Sequence, residues 1–281
     1  MIWVIFPAYN EEQVIRPTLM ALVHGMEASG LPYRAVLVDD GSRDRTIAEA
    51  EGAVADSGGR LALTILRHET NRGLGAGLRT GIYWCLDHAD ENDVIVTLDA
   101  DNTHPPAMIP RLVRRLDDGF DLSIASRYRS GAEVRGVPGY RRALSDLGRL
   151  VFQALYPIPG VRDYTCCFRA YRVPLLRRAR LVYGDALCTA RGFEAVMDLL
   201  LRLGPLGVRV SEIGFVLDYG GRAGQSKMKV LKTIRSTVAL LTRRRIERFL
   251  HYRPTQVAAL ETAGRARPTA TGASVGVTPG S

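Results

Sequence analysis

Four short apolar runs, each followed by a polar or acidic cluster, set the first limit on what this chain can fold into. They cover residues 3–6, 35–38, 61–66 and 94–98. Segments with apolar residues at helical spacing follow the first three, reaching about Met26, running from about Thr46 to Ala55, and from Gly77 to His88. Apolar runs this short read as buried strands, and their alternation with helices predicts a parallel, doubly wound α/β sheet. Right-handed crossovers then place the first strand between the second and the fourth. The loops that leave those three strands meet at one crevice, the place where such sheets bind ligands. Further on, residues 121–126 read as a strand, 138–156 as an amphipathic helix, 193–203 as a helix and 208–217 as a strand. Residues 163–171 have strand composition behind a leading acid, with Cys166 and Cys167 as strand residues.

The loops carry the chemistry. The fourth strand ends in Asp99 and Asp101, within Asp-Ala-Asp-Asn-Thr-His-Pro-Pro. Two carboxylates so close repel each other unless a cation or water covers them. Mg²⁺ or Mn²⁺ suits them, because each takes one or two carboxylates and completes its shell with water and substrate phosphates. In isolation the pair reads equally as solvated loop acids, with Asp101 or Asn102 capping the helix after Pro105 and Pro106. Pro7, Tyr9 and Glu11 follow the first strand and Asp39 and Asp40 the second, so all five face the same crevice. Residues 71–77, Asn-Arg-Gly-Leu-Gly-Ala-Gly, invite a dinucleotide reading but fail its spacing. Leu78 and Thr80 stand where the third glycine belongs. That loop reads as a tight strand-to-helix turn or as a backbone approach to a nucleotide.

Composition limits the setting. The chain has 281 residues, 46% of them hydrophobic, which is ample for a core. No apolar run approaches the ~18 residues of a spanning helix, and the start of the chain enters a strand directly. The expectation is a cytoplasmic protein in a reducing compartment, since Cys85, Cys166, Cys167 and Cys188 lack zinc-ligand spacing or a disulfide framework. Ten Lys and Arg against one acid, Glu247, between residues 222 and 253 account for the whole net charge of +9. Residues 228–249 read as a long helix with Val230, Leu231, Ile234, Val238, Leu241, Ile246 and Phe249 on one arc. That helix either packs on the domain or lies on a membrane surface; its stripe equally serves a homodimer or a membrane subunit. No nucleic-acid motif accompanies the charge. The expected divisions are 1–226, a basic amphipathic segment 227–253 and a disordered tail 254–281.

Six separated motifs, at residues 7–12, 39–44, 99–106, 126–128, 163–171 and 222–227, resemble in order and spacing the inverting family 2 glycosyltransferases. The nearest branch is that of the dolichyl-phosphate mannose synthases and bacterial polyprenyl-phosphate glycosyltransferases. The resemblance spans residues 2–230. It implies a GT-A fold, a Rossmann-like and mostly parallel sheet with helices on both faces, here followed by a C-terminal amphipathic helix. It also implies metal-dependent transfer of a hexose, mannose or glucose, from a GDP- or UDP-sugar to a polyprenyl or dolichyl phosphate at the inner membrane face. By position, Pro7, Tyr9 and Glu11 with Asp39 would hold base and ribose, Asp40 beside them. Asp99 and Asp101 would sit by the diphosphate with Mg²⁺ or Mn²⁺, Asp101 as the direct ligand. Arg127 and the group Arg222, Ser226 and Lys227 would meet phosphates of donor or acceptor. Asp163 is the acid to nominate as base if the acceptor is a hydroxyl, a structural role standing beside it. Two positions depart from the pattern: Cys167, where relatives commonly have glycine, and Thr103, where Gln or Ser often assists the metal. A soluble or glycan hydroxyl acceptor, and a non-catalytic nucleotide-sugar-binding protein, remain the alternatives.

Overall fold

The computed structural model describes residues 1–136, 139–218 and 230–251. Its elements run β1 (Ile2–Ala8), α1 (Ile15–Glu27), β2 (Tyr33–Asp39), α2 (Thr46–Asp56), β3 (Leu63–Arg67), α3 (Leu74–His88) and β4 (Val94–Thr97). There follow α4 (Ile109–Asp117), β5 (Leu122–Ser126), β6 (Glu133–Arg135), α5 (Gly139–Leu155), β7 (Arg169–Arg172) and α6 (Val173–Tyr183). The last elements are α7 (Glu194–Leu203), β8 (Val210–Gly214), β9 (Val216–Asp218) and α8 (Val230–His251). The chain divides between Leu240 and Leu241, inside α8, and the sheet lies wholly in the first unit.

Seven strands form one sheet in the order β3-β2-β1-β4-β7-β5-β8, and β6 pairs with β9 in a separate parallel ribbon. β1 lies between β2 and β4, parallel to both, as the crossover rule predicts. Val4, Ile5, Phe6, Val36 and Leu37 are wholly buried, which explains why these strands read as continuous apolar runs. Burying each such side chain contributes about 1.5–3 kcal/mol. α1 packs with α2 and α4, and α3 with α6 and α7, so helices cover both faces. Gly81 of α3 sits over the sheet so closely that a Cβ there would fall 2.6 Å from Ile5 Cγ2.

Three details differ from the sequence expectation. β7 is short and antiparallel to both β4 and β5, so Cys166 and Cys167 precede the strand instead of lying in it. The run 208–217 splits at Phe215 into β8 and β9, which belong to different sheets. The predicted arc of α8 is split: Leu241 is buried but Val238 and Ile246 are exposed, and Leu240, off the arc, is buried. Among the described residues no helix is long and apolar enough to cross a membrane.

Candidate active site

Parallel register brings the ends of β1, β2 and β4 to one edge: Ala8 is level with Asp39, and Ile5 with Thr97. Thr97 and Ile124 both pair with Arg169, so the end of β5 reaches the same edge across β7. Two strand spacings, about 9–10 Å, separate β4 from β5. Pro7, Tyr9, Glu11, Asp39, Asp40, Asp99, Asp101 and Arg127 therefore share one edge. Arg222, Ser226 and Lys227 lie outside the described residues.

The loop after β1 is tied to the loop after β2 by crossed hydrogen bonds. Asn10 N–H donates to Ser42 Oγ at 2.9 Å, and Arg43 N–H returns a bond to Asn10 Oδ1 at 2.9 Å. Glu11 N–H donates to Thr46 Oγ1 at 2.8 Å, while Arg45 N–H donates to Glu12 Oε2 at 3.0 Å. Asn10 takes a left-handed φ of 54°, which Asn tolerates better than most residues. Tyr9 is left exposed at the mouth.

The two acids after β2 have different duties. Asp39 is buried; both of its oxygens accept from Ser42 N–H at 3.3 Å, and Arg67 Nε lies 3.6 Å away. Asp40 is spent on the protein itself. It meets His68 Nδ1 at 2.6 Å and accepts from Arg72 N–H at 2.9 Å and Gly73 N–H at 2.7 Å. Asp40 thus clamps the 71–77 loop. The glycines of that loop serve the same packing. A Cβ on Gly75 would fall 2.0 Å from Ala190 O, and Gly73, at φ 93°, would meet Arg191 O at 2.4 Å. Leu74 N–H donates to Arg191 O at 2.8 Å. This is a turn built for backbone contact with a neighbouring loop.

Beyond β4, Thr103 fixes Asp101: its N–H and its hydroxyl donate to Asp101 Oδ1 at 3.2 and 2.6 Å. Asp99 keeps about a third of its side-chain surface in contact with solvent and lies beside His104. Among the described residues no group of three His, Cys, Asp or Glu could hold a metal ion. The donor set instead fits a hard cation that takes two carboxylates and leaves its remaining positions to water and diphosphate oxygens. The nearby thiols of Cys166 and Cys167 are pushed up by burial, Cys167 further by the charge of Asp99, and stay protonated.

At the end of β5, Arg127 and Asp163 form a bidentate pair, Nε to Oδ2 at 2.9 Å and Nη2 to Oδ1 at 2.8 Å. Asp163 is fully buried and also accepts from the N–H groups of Arg127, Thr165 and Cys166. Burial alone would raise its pKa; the charge of Arg127 and these donors overturn that and hold the carboxyl well below the usual carboxylate range. A carboxylate so stabilised is a weak base. Its bonds hold Arg127, in keeping with the structural role that stood beside the base assignment. A second pair sits alongside, and the sequence reading missed it: Arg129 Nε donates to buried Glu212 at 2.9 Å, whose other oxygen accepts from Arg162 and Asp163 N–H at 2.6 and 2.7 Å. The available signal was one acid inside the apolar run 208–217.

Because the folded-state pKa of Asp163 lies below its unfolded value of about 3.9, the pair stabilises the fold above that pH. The contribution fades as pH falls through the lower, folded value. Asp163→Asn should destabilise by about 3–5 kcal/mol at pH 7, measured by urea unfolding, and the gap from wild type should narrow below pH ~4. A gap unchanged down to pH ~3 would contradict the assignment.

Comparison with known proteins agrees with this geometry. The chain is 30% identical over 227 residues to the dolichol-phosphate mannosyltransferase of Pyrococcus furiosus, covering 80% of this chain and 58% of that protein. It is 34% identical over 217 residues to the polyprenol monophosphomannose synthase of Mycolicibacterium smegmatis, covering 75% and 74% respectively. Glucosyl-3-phosphoglycerate synthase from Mycobacterium tuberculosis, solved with Mn²⁺, UDP-glucose and phosphoglyceric acid, superposes with a TM-score of 0.58 at 22% identity. That match covers 87% of this chain and 79% of the other. The structural likeness shows the shared GT-A fold. The family model for glycosyl transferase family 2 matches residues 3–179. With strand order, acidic edge and sequence relatives in agreement, the chain belongs to glycosyl transferase family 2.

Proposed function

We propose that this protein transfers a hexose from a nucleoside-diphosphate sugar to a polyprenyl phosphate, with inversion and with Mg²⁺ or Mn²⁺. The observation that carries this reading is the placement of Asp99, Asp101 and Arg127 on one sheet edge beside the tied loops of β1 and β2. Mannose appears in the names of both sequence relatives and is the first sugar to test, from GDP- and UDP-donors alike.

In such a transfer an acceptor oxygen forms the bond to the anomeric carbon as the bond to the nucleoside diphosphate breaks. The bonding electron pair leaves with the diphosphate, so negative charge grows at that end. A divalent cation, when bound by Asp99 and Asp101, supplies Lewis-acid neutralisation of that charge. Arg127 stays charged in its bidentate pair with ionised Asp163, so the pair offers a preorganised, oriented dipole at the same edge instead of net positive charge. Pro7, Tyr9, Glu11 and Asp39 remain the candidates for base and ribose.

The state of Asp163 bears on the acceptor class. A hydroxyl acceptor needs a base, and the acid nominated for that task is buried, bonded and held well below the usual carboxylate range. A lipid phosphate, with a second pKa near ~6, is already ionised at neutral pH and needs none. The depressed Asp163 therefore favours the phosphate acceptor over a soluble or glycan hydroxyl.

Such an acceptor lives in a bilayer, and α5 offers the face to meet one. Leu147, Leu150, Val151 and Leu155 are exposed at helical spacing, while Phe152 on the other side is buried and stacks on Tyr164 at 5.1 Å. Ser145 of the same helix bonds Tyr128 OH at 2.7 Å, next to Arg127. In this reading α5 is a membrane-facing element that brings lipid phosphates close to Arg127.

Asp101→Ala should lower turnover by at least about a hundredfold with an unchanged melting temperature; full activity in that variant would refute metal-assisted transfer here. The double variant Leu147→Glu and Leu150→Glu should release the protein from phosphatidylglycerol vesicles in co-sedimentation. Unchanged sedimentation would show that α5 is not the docking face.

A further inference from the structure

The turn after β4 does more than carry two acids. Asn102, at φ 59°, turns the chain back, and Pro105 restricts the preceding residue to extended conformations. Together they bring His104 beneath Asp99, five positions upstream. The His104 ring is 5% exposed, stacks on Phe168 at 5.4 Å and meets Phe215 edge-on at 5.9 Å. Its rotation is restricted by those two rings.

Asp99 N–H donates to His104 Nδ1 at 3.1 Å. An Nδ1 that accepts leaves the hydrogen of the neutral ring on Nε2. Nε2 lies 3.8 Å from Asp99 Oδ2 and 3.9 Å from Cys166 Sγ. The ring therefore holds the main chain of Asp99 by a direct hydrogen bond, while its Nε2 lies 3.8 Å from the carboxylate, beyond hydrogen-bond distance. Thr103 does the corresponding work for Asp101.

We infer that His104 is a positioning residue for Asp99, fixing the main chain that carries that carboxylate and thereby the affinity of the edge for a divalent cation. The inference rests on the reading that Asp99 and Asp101 hold the cation. Histidines that orient ligands from behind a metal site commonly change metal affinity by about 10–100-fold when replaced. His104 also lines a cavity of about 570 Å³ shared with His24, Gly25, Thr103 and Pro106. Alanine at 104 would enlarge that space and expose Asp99 N–H, so it is a poor probe.

The test is Mn²⁺ binding to the full chain, read from the free-ion EPR signal, together with a thermal melt. His104→Phe keeps an aromatic ring against Phe168 and Phe215 but offers Asp99 neither acceptor nor donor. It should weaken Mn²⁺ binding about tenfold or more. His104→Asn restores an acceptor at the Nδ1 position and should bind within about threefold of wild type. Asp101→Ala, run in parallel, should lose binding. Wild-type affinity in Asp101→Ala would overturn the metal reading itself and this inference with it. Loss in Asp101→Ala with wild-type affinity in His104→Phe, or with His104→Asn as weak as His104→Phe, would overturn the positioning role alone. Should His104→Phe not fold, His104→Asn against His104→Gln decides: tighter binding by Asn supports the Nδ1 contact, and equal or tighter binding by Gln refutes it.

Discussion

Two like charges one residue apart at a strand end have to be held against their mutual repulsion, and much of this sheet edge is arranged around that constraint. The parallel register of β1, β2 and β4 delivers Asp99 and Asp101 to an edge already occupied by polar loops. The turn that carries them supplies its own braces, Thr103 for Asp101 and His104 for Asp99. A carboxylate pair braced by the protein but still open to solvent is suited to a cation that binds together with a diphosphate.

On the other side of β7, charge is handled by pairing. Arg127 with Asp163 and Arg129 with Glu212 join three loops through short bonds at buried acids. Breaking either pair would strand a desolvated charge, so both fix backbone geometry more than they add net stability. The same pairing explains why Asp163 is unsuited to remove a proton. In the proposed reading the acceptor arrives ionised, and the apolar face of α5 is where a lipid acceptor would be met.

The strand and helix order was legible because β1, β2 and β4 are buried on both faces and leave unbroken apolar runs. The convergence of Pro7, Asp39 and Asp99 followed from one crossover rule. The rest depended on partners far away in the chain. Asp40 looks like a ligand until His68, 28 positions on, and the N–H groups of Arg72 and Gly73 are seen to occupy it. Asp163 reads equally as a base or a structural acid until Arg127, 36 positions before it, is found on both of its oxygens. β7 was blurred because the six residues before it form a hydrogen-bonded loop around Asp163 with the same composition as a strand.

The central claim is that this edge passes a sugar to a lipid phosphate, and one transfer assay reaches it most directly. Labelled sugar from a panel of GDP- and UDP-sugars is offered with a short polyprenyl phosphate and, separately, with hydroxyl acceptors, each with and without chelator. The account predicts label in the organic phase with the polyprenyl phosphate, abolished by chelator and restored by Mg²⁺ or Mn²⁺. Label that appears only on hydroxyl acceptors, or transfer to lipid that is indifferent to chelator, would contradict it.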